Sequence, residues 1–320
     1  MAKVKTILIF GVSLLVLSFL VFTLSRLAPI EPLRSYYGER VERMSAEDKD
    51  AARAKLGLDR SLLTQYGLWL KQASRGEFGI SFKYKEDALK VMADRLGNTL
   101  ILGGVSFVGL IIGSLSLGTL SAWHEGGRLD KWLRRLGTLS SAVPEFWLAL
   151  LFIFIFSVTF KLLPSSGAYD VGRDTLLGRG VHLILPASVL ILSHLGYYSY
   201  FVRNRMLEEF KKDYILLSRA QGMSRRAIVF GLCLRSVVPS YLSLMMVSLG
   251  HILTGTYTVE MVFSYPGIGS LAYESAQFGD YNVLMLVCLF SGTLVMGSST
   301  LASTCNRLLD PRFKRMRRVR

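Results

Sequence analysis

Long apolar runs separated by shorter polar stretches dominate the chain. The runs begin at Ile7, Thr99, Val143, His182, Val238 and Val283 and end near Leu27, Trp123, Leu163, Val202, Glu260 and Ala302. A run of about twenty residues crosses the ~30 Å hydrocarbon layer of a bilayer as a helix. Six transmembrane helices are therefore predicted, and the fold class is all-α integral membrane. The first run follows Lys3 and Lys5, is too long for a signal-peptide core and lacks an A-x-A-like cleavage site, so it reads as a retained span. The second carries Gly103, Gly104, Gly109, Gly113, Ser114, Ser116 and Gly118, small residues that let helix backbones approach closely in lipid. That helix is expected inside the bundle.

The polar stretches differ in kind. Residues 30–95 hold thirteen Lys/Arg against eleven Asp/Glu, the near balance of a translocated loop. Within it, Ser45-Ala46-Glu47-Asp48 starts a helix through Leu56. Leu62, Leu63, Tyr66, Trp69 and Leu70 form an apolar stripe on a second helix. A small ordered subdomain is expected, packed against the outer ends of membrane helices or against a partner. Residues 124–136 read as a short basic loop, and residues 165–181 as a nearly neutral one. The segment Asp213–Pro239 is basic and amphipathic and cannot lie in hydrocarbon. Asp213–Ala220 predicts two helical turns, Gln221-Gly222 a bend with positive φ, and Ser224 the cap of a second helix running to Arg235. The result is a helix–turn–helix elbow beside the membrane.

Charge fixes the expected orientation. The chain is 51% hydrophobic and 19% charged, yet carries a formal net charge of +15. Lys3 and Lys5, the four basic residues of 124–136, the eight of 203–235 and the seven of the tail make up twenty-one of its thirty-eight Lys/Arg, and all fall on one side of a six-span arrangement. By the positive-inside rule that side is cytoplasmic, with both termini. The excess charge is thus accounted for by topology and anionic lipid, and nucleic acid is not implied. Cys233, Cys288 and Cys305 form no spaced motif and read as small buried residues. The patterns G-x-x-x-x-G-K-[ST], H-E-x-x-H and G-x-S-x-G are absent, so an enzyme is not expected and the energy for any work comes from elsewhere.

Four stretches together carry a family likeness. Asp213-Tyr214, Arg219-Ala220-Gln221-Gly222-Met223, Leu234-Arg235 and Pro239 resemble the cytoplasmic coupling loop of ATP-binding-cassette importer permeases, which in the peptide/nickel branch reads DY…ARAKG(L/M)…LRNALLP. Leu56-Gly57-Leu58-Asp59, Gln65-Tyr66 and Gly76-Glu77-Phe78-Gly79-Ile80-Ser81 resemble that branch's outer loop. Glu260-Met261-Val262-Phe263-Ser264-Tyr265-Pro266-Gly267-Ile268-Gly269 resembles its ExVFxWPGLG motif, and Leu309-Asp310-Pro311-Arg312 its terminal LDPR. The chain departs from the family at Ala28-Pro29-Ile30-Glu31-Pro32, at Ser218 and at Gln221.

The resemblance implies a permease subunit that forms half of a translocation pathway for nickel, a metal chelate or di-/oligopeptides. It implies a second permease chain, in this family commonly a different one, two cytoplasmic ATPase subunits and an extracytoplasmic substrate-binding protein, in a prokaryotic plasma membrane. No cofactor is expected on this chain; ATP and magnesium are used by the ATPase. Asp213, Tyr214, Arg219, Ala220, Gly222, Met223 and Arg235 are the candidate ATPase-coupling residues, with Ile215 and Leu216 in the apolar contact face and Arg225 and Arg226 as further charges. Glu260, Phe263, Pro266, Gly267 and Gly269 are candidates at the outer gate. His194 and His251 are candidates for the pathway, with Met245, Met246 and Met285 as soft contacts for a metal. The expected divisions are a first span over 1–28, an outer subdomain over 29–96, a five-helix core over 97–305 with the coupling loop at 203–238, and a basic tail over 306–320. A stand-alone secondary transporter or channel is the alternative; it predicts an inverted internal repeat, and no clear repeat is present.

Overall fold

The computed structural model describes residues 2–28, 31–139, 143–170, 172 and 174–309. The expected features at Pro29, at Asp310-Pro311-Arg312 and in the basic tail beyond it lie outside the described residues. Twelve α-helices carry the described chain: α1 Ala2–Leu27, α2 Pro32–Tyr37, α3 Ala46–Lys55, α4 Leu62–Ala73, α5 Ala88–Trp123, α6 Arg128–Leu139, α7 Glu145–Phe152, α8 Leu176–Phe210, α9 Asp213–Ala220, α10 Leu234–Val262, α11 Ile268–Phe278 and α12 Tyr281–Leu309. Wide π-type turns extend α7 over Ile153–Thr159 and lead into α10 over Ala227–Cys233.

Five segments are long and apolar enough to cross a membrane: Ile7–Leu27, Ala88–Trp123, Leu176–Phe210, Ala227–Val262 and Tyr281–Thr300. The third of the six expected spans is shorter than its apolar run. It is helical over Glu145–Thr159 only, about 22 Å at ~1.5 Å per residue, and Lys161 with φ 52 follows its end. The ends of the other spans also differ from the apolar runs. Helix α5 starts at Ala88, and α8 continues to Phe210 through Arg203 and Arg205. Polar side chains are compatible with helix wherever they have partners or leave the hydrocarbon, so hydropathy marks the membrane-embedded part rather than the helix.

The chain divides into two compact units, Met1–Thr99 with Pro266–Met296, and Leu100–Tyr265 with Gly297–Arg320. In the first, Ser45 and Ser61 cap α3 and α4 by accepting the backbone N–H of Asp48 and Thr64. Phe22 of α1, Trp69 of α4 and Met285 of α12 form a buried cluster that also takes Leu62, Tyr66 and Leu70. The Tyr66 hydroxyl and Ser18 Oγ lie 2.7 Å apart. The expected stripe on α4 is therefore real and packs against membrane helices, with one correction: Leu63 faces outward, 69% exposed. It follows Leu62 directly and so points about 100° away from it around the helix.

The loop Gly76–Ser81 packs on the turn between α11 and α12. Gly76 and Gly79 have φ of 84 and 89, and a Cβ at Gly79 would come within 2.6 Å of the Asn282 amide. The Ile80 carbonyl accepts from Asn282 Nδ2 at 2.9 Å, and Ser81 Oγ donates to the Asp280 carboxylate. Glycine at 79 is thus required twice, by its φ and by the close approach. Farther along, Glu274 of α11 accepts from Lys83 Nζ at 2.5 Å and from the Tyr84 hydroxyl at 2.7 Å. Burial raises the Glu274 pKa, but these two donors outweigh it and hold the carboxyl below its usual range.

In the second unit, α5 lies against α8 along its glycine face. A Cβ at Gly109 would meet Ile191 at 2.6 Å, one at Gly113 would meet Leu195 at 3.0 Å, and one at Gly118 would meet the Ser199 carbonyl at 2.6 Å. The close helix approach expected from the small residues is present. Tyr198, Val202 and Met206 of α8 and Tyr241, Met245 and Ile252 of α10 complete a continuous buried core with Leu110 of α5.

Candidate functional site

The elbow is built from the end of α8, helix α9 and the start of the α10 segment. Helix α9 spans the expected Asp213–Ala220. It ends in a Schellman arrangement: the Gly222 N–H donates to the Arg219 carbonyl at 2.9 Å and the Met223 N–H to the Ser218 carbonyl at 3.1 Å. Gly222 has φ 82, the left-handed region where a glycine is least strained. Ser224 Oγ then accepts the Ala227 N–H at 3.3 Å, as a cap should. The second arm is not a separate helix ending at Arg235. It runs through the π-type turn directly into the α10 span, so the elbow and the membrane helix form one lever.

Which side chains face outward corrects part of the sequence reading. Ile215 is fully buried in the core of the second unit rather than on the contact face. Leu216 and Leu217 are 52% and 60% exposed, and Tyr214, Ala220 and Met223 are exposed beside them. Leu217, not singled out from sequence, therefore belongs to that face. Asp213, Arg219, Arg226 and Arg235 are exposed too; Asp213 sits in the first turn of α9, where a negative charge suits the helix dipole. Arg225 is already engaged within the chain. Its guanidinium donates to the Trp123 carbonyl and lies 4.9 Å from the centre of the Trp123 ring. A cavity of about 260 Å³ lies behind the elbow, lined by Lys211, Arg219, Arg225, Glu125, Leu207 and Phe210 among others.

Two buried carboxylates that the sequence reading missed hold the elbow. Asp130 of α6 is buried. Its Oδ1 accepts from Arg203 Nε at 2.7 Å and Ser121 Oγ at 2.9 Å, and its Oδ2 from Arg203 Nη2 at 2.9 Å and the Gly126 N–H at 2.9 Å. Burial acts to raise its pKa, but the Arg203 guanidinium, with the Gly126 and Ser121 donors, overrides this and holds it at about 2. The stretch expected to be a basic loop is thus largely an amphipathic helix, α6, tied to α8 by this pair. Glu209 of α8 accepts from Lys212 Nζ at 2.5 Å and from the Tyr214 hydroxyl. Burial, and then the Glu209 carboxylate, push the Tyr214 phenol up to about 12. Tyr214 is therefore a neutral donor that fastens α9 to α8. The available signal was the presence of acidic residues within each basic stretch, Glu125 and Asp130 in the first and Glu208, Glu209 and Asp213 in the second.

The outer-motif residues fall in both units. In the second, Glu260 and Phe263 are fully buried, Ser264 has φ 46, and the Phe263 carbonyl accepts the Gly167 N–H at 2.9 Å. In the first, the Pro266 carbonyl accepts from Asn98 Nδ2 at 2.8 Å, Gly267 precedes α11, and Gly269 is buried in its first turn. Irregular backbone and a helix start occupy this motif, as its Pro and Gly content predicts.

The two histidines expected as pathway candidates, His194 and His251, are not brought together. His251 is exposed on α10. His194 Nδ1 lies 3.7 Å from Glu145 Oε1 and 3.1 Å from the Leu190 carbonyl, with the imidazole stacked on Tyr198. A Cβ at Gly255 of α10 would come within 3.2 Å of the same carboxylate. Glu145, which directly follows Pro144, joins His194 as a pathway candidate. Met245 is buried in the core of the second unit and Met285 in the first. Among the described residues, no group of three or more His, Cys, Asp or Glu is placed to hold a metal ion.

Comparison with known proteins agrees with this geometry. Residues 114–315 match the family described as binding-protein-dependent transport system inner membrane component. A Brucella suis protein provisionally named a peptide permease is 34% identical over 94% of this chain and 95% of its own length. The oligopeptide transport system permease protein AppB of Bacillus subtilis is 29% identical over 94% and 95%. Among solved structures, a chain of the MetNI methionine ABC transporter in an inward-facing conformation superposes with a TM-score of 0.57 at 17% identity, covering 69% of this chain and 97% of that one. The chain belongs to the binding-protein-dependent transport system inner membrane component family, the permease subunits of ATP-binding-cassette importers.

Proposed function

We infer that this permease carries peptides, in a complex with a second permease chain, two ATPase subunits at the elbow and a substrate-binding protein on the opposite face. The observation that carries the substrate class is the similarity along nearly the whole length to proteins named as peptide permeases, one of them an oligopeptide permease. The positive-inside pattern supports a cytoplasmic elbow and cytoplasmic termini. The exposed apolar face of α9 with Arg219, Arg226 and Arg235 around it supports an ATPase contact there. Glu145 and His194 suit a zwitterionic cargo, which carries an ammonium and a carboxylate; nothing comparable supports nickel.

Competition for uptake tests the substrate class. In cells expressing the complete transporter, excess unlabelled oligopeptide is expected to reduce uptake of a labelled peptide at least tenfold, while equimolar nickel leaves it unchanged. Inhibition by nickel alone, with nickel accumulating in an expression-dependent manner, would contradict the peptide reading.

A further inference from the structure

A cavity of about 370 Å³ in the first unit lies between the end of α1, the α3–α4 loop, α4 and α12. Its lining includes Arg26, Lys55 and Arg60 and, among the described residues, no carboxylate. Arg26 stands in the last turn of the first span, at the depth where hydrocarbon gives way to headgroups. Its guanidinium is held over the Phe22 ring at 5.2 Å and the Tyr281 ring at 5.7 Å, and its buried Nε and Nη1 have no hydrogen-bond partner among the described residues. Trp69, only 9% exposed, lines the same cavity, and its Nε1–H likewise has no partner among the described residues. Gln65 donates through Nε2 to the Arg60 carbonyl, which leaves its buried Oε1 as an unmatched acceptor.

Buried donors without acceptors are costly, and a buried guanidinium without an anion more so. Aromatic rings stabilise the Arg26 cation but supply no oxygen for its N–H groups. An oxyanion with several acceptor oxygens, small enough for the cavity and reachable from headgroup depth, would supply the acceptors and the negative charge that these donors call for. We propose that this cavity binds a phosphate group, carried by an anionic phospholipid headgroup or present as free phosphate. The phosphate oxygens take the N–H groups of Arg26 and Trp69, with Lys55 and Arg60 adding charge at the rim. A hydroxyl on the ligand, such as that of a glycerol headgroup, donates to Gln65 Oε1. A lipid held here would tie the first span to the α3–α4 loop and α12.

The test uses the full-length chain, purified in mild detergent with the subunits that accompany it. Thermal unfolding is followed against dioctanoyl phosphatidylglycerol, inorganic phosphate and dioctanoylglycerol, the last having the acyl chains without the phosphate. A ligand specific to the folded state raises Tm with concentration. Phosphatidylglycerol is expected to do so and dioctanoylglycerol not to; a rise with inorganic phosphate as well identifies free phosphate as a sufficient ligand. Trp69→Phe keeps the ring and removes one donor, and is expected to weaken the apparent Kd roughly tenfold. Arg26→Gln is expected to abolish the effect, and Trp69→Phe decides the matter should Arg26→Gln fail to fold. The proposal is overturned if neither phosphate compound shifts Tm, if dioctanoylglycerol shifts it equally, or if Trp69→Phe retains the wild-type Kd.

Discussion

Gly222→Val is expected to leave the permease inserted in the membrane while lowering substrate-stimulated ATP hydrolysis and uptake by the assembled importer about tenfold or more. The reason lies in the backbone. Gly222 has φ 82 and closes the Schellman end of α9, and among the described residues nothing lies within 4 Å of where its Cβ would be. The substitution therefore meets no steric wall; it acts through conformation alone. A β-branched residue in this region costs about 1–2 kcal/mol or more. Leaving the region breaks the Gly222 and Met223 N–H bonds that set the angle between α9 and the α10 lever. Insertion depends on the apolar spans, none of which contains Gly222. Gly222→Asn is the control, because asparagine enters the left-handed region with less strain, and most of the coupling should return. Membrane levels follow from immunoblotting, and coupling from ATPase activity with and without loaded binding protein. Wild-type coupling in Gly222→Val would remove the bend from the mechanism.

The largest effect on stability is expected at Asp130. Its carboxylate is 1% exposed and receives two hydrogen bonds from Arg203, whose side chain is 11% exposed. Asp130→Ala leaves that guanidinium buried without its anion, a loss on the order of 3–5 kcal/mol. Replacing both partners, Asp130→Leu with Arg203→Met, should recover most of it, since the pair's cost is largely desolvation. Acid provides an independent check. Because the folded-state pKa is depressed to about 2, below the ~3.9 of an unfolded aspartate, the contribution is fully present above about pH 4. It disappears as pH falls toward 2, and amounts to on the order of 2 kcal/mol. Wild-type protein should lose stability over this window, and Asp130→Ala should show a smaller slope there. Equal slopes in the two proteins would contradict the assignment.

Much of this was legible because a few residue types have few physical options. Apolar runs of bilayer length became helices, the glycines of α5 became a close contact with α8, and Ser45, Ser224 and Gly222 became the caps and bend they suggest. Pairing across the chain was not legible. Asp130 reads as one more charge in a polar loop until α6 folds and Arg203 arrives from seventy-three residues away. Glu145 reads as the polar flank of a span until His194 stands beside it. Arg225 was expected on the partner-facing surface, yet Trp123 occupies its guanidinium from within the chain. Hydropathy likewise marked six runs but not that the third forms a helix of only fifteen residues, since length in an apolar run does not prevent Lys161 from turning the backbone out of the helix.

On the proposed function, this chain is driven from outside itself, through the α9 elbow. Purification of the tagged chain from its native membrane in mild detergent, followed by reconstitution into liposomes, tests it most directly. The expected result is a co-purifying ATPase, with peptide accumulating only when ATP and the binding protein are both supplied. Peptide transport by the chain alone, without an ATPase and without ATP, would contradict it.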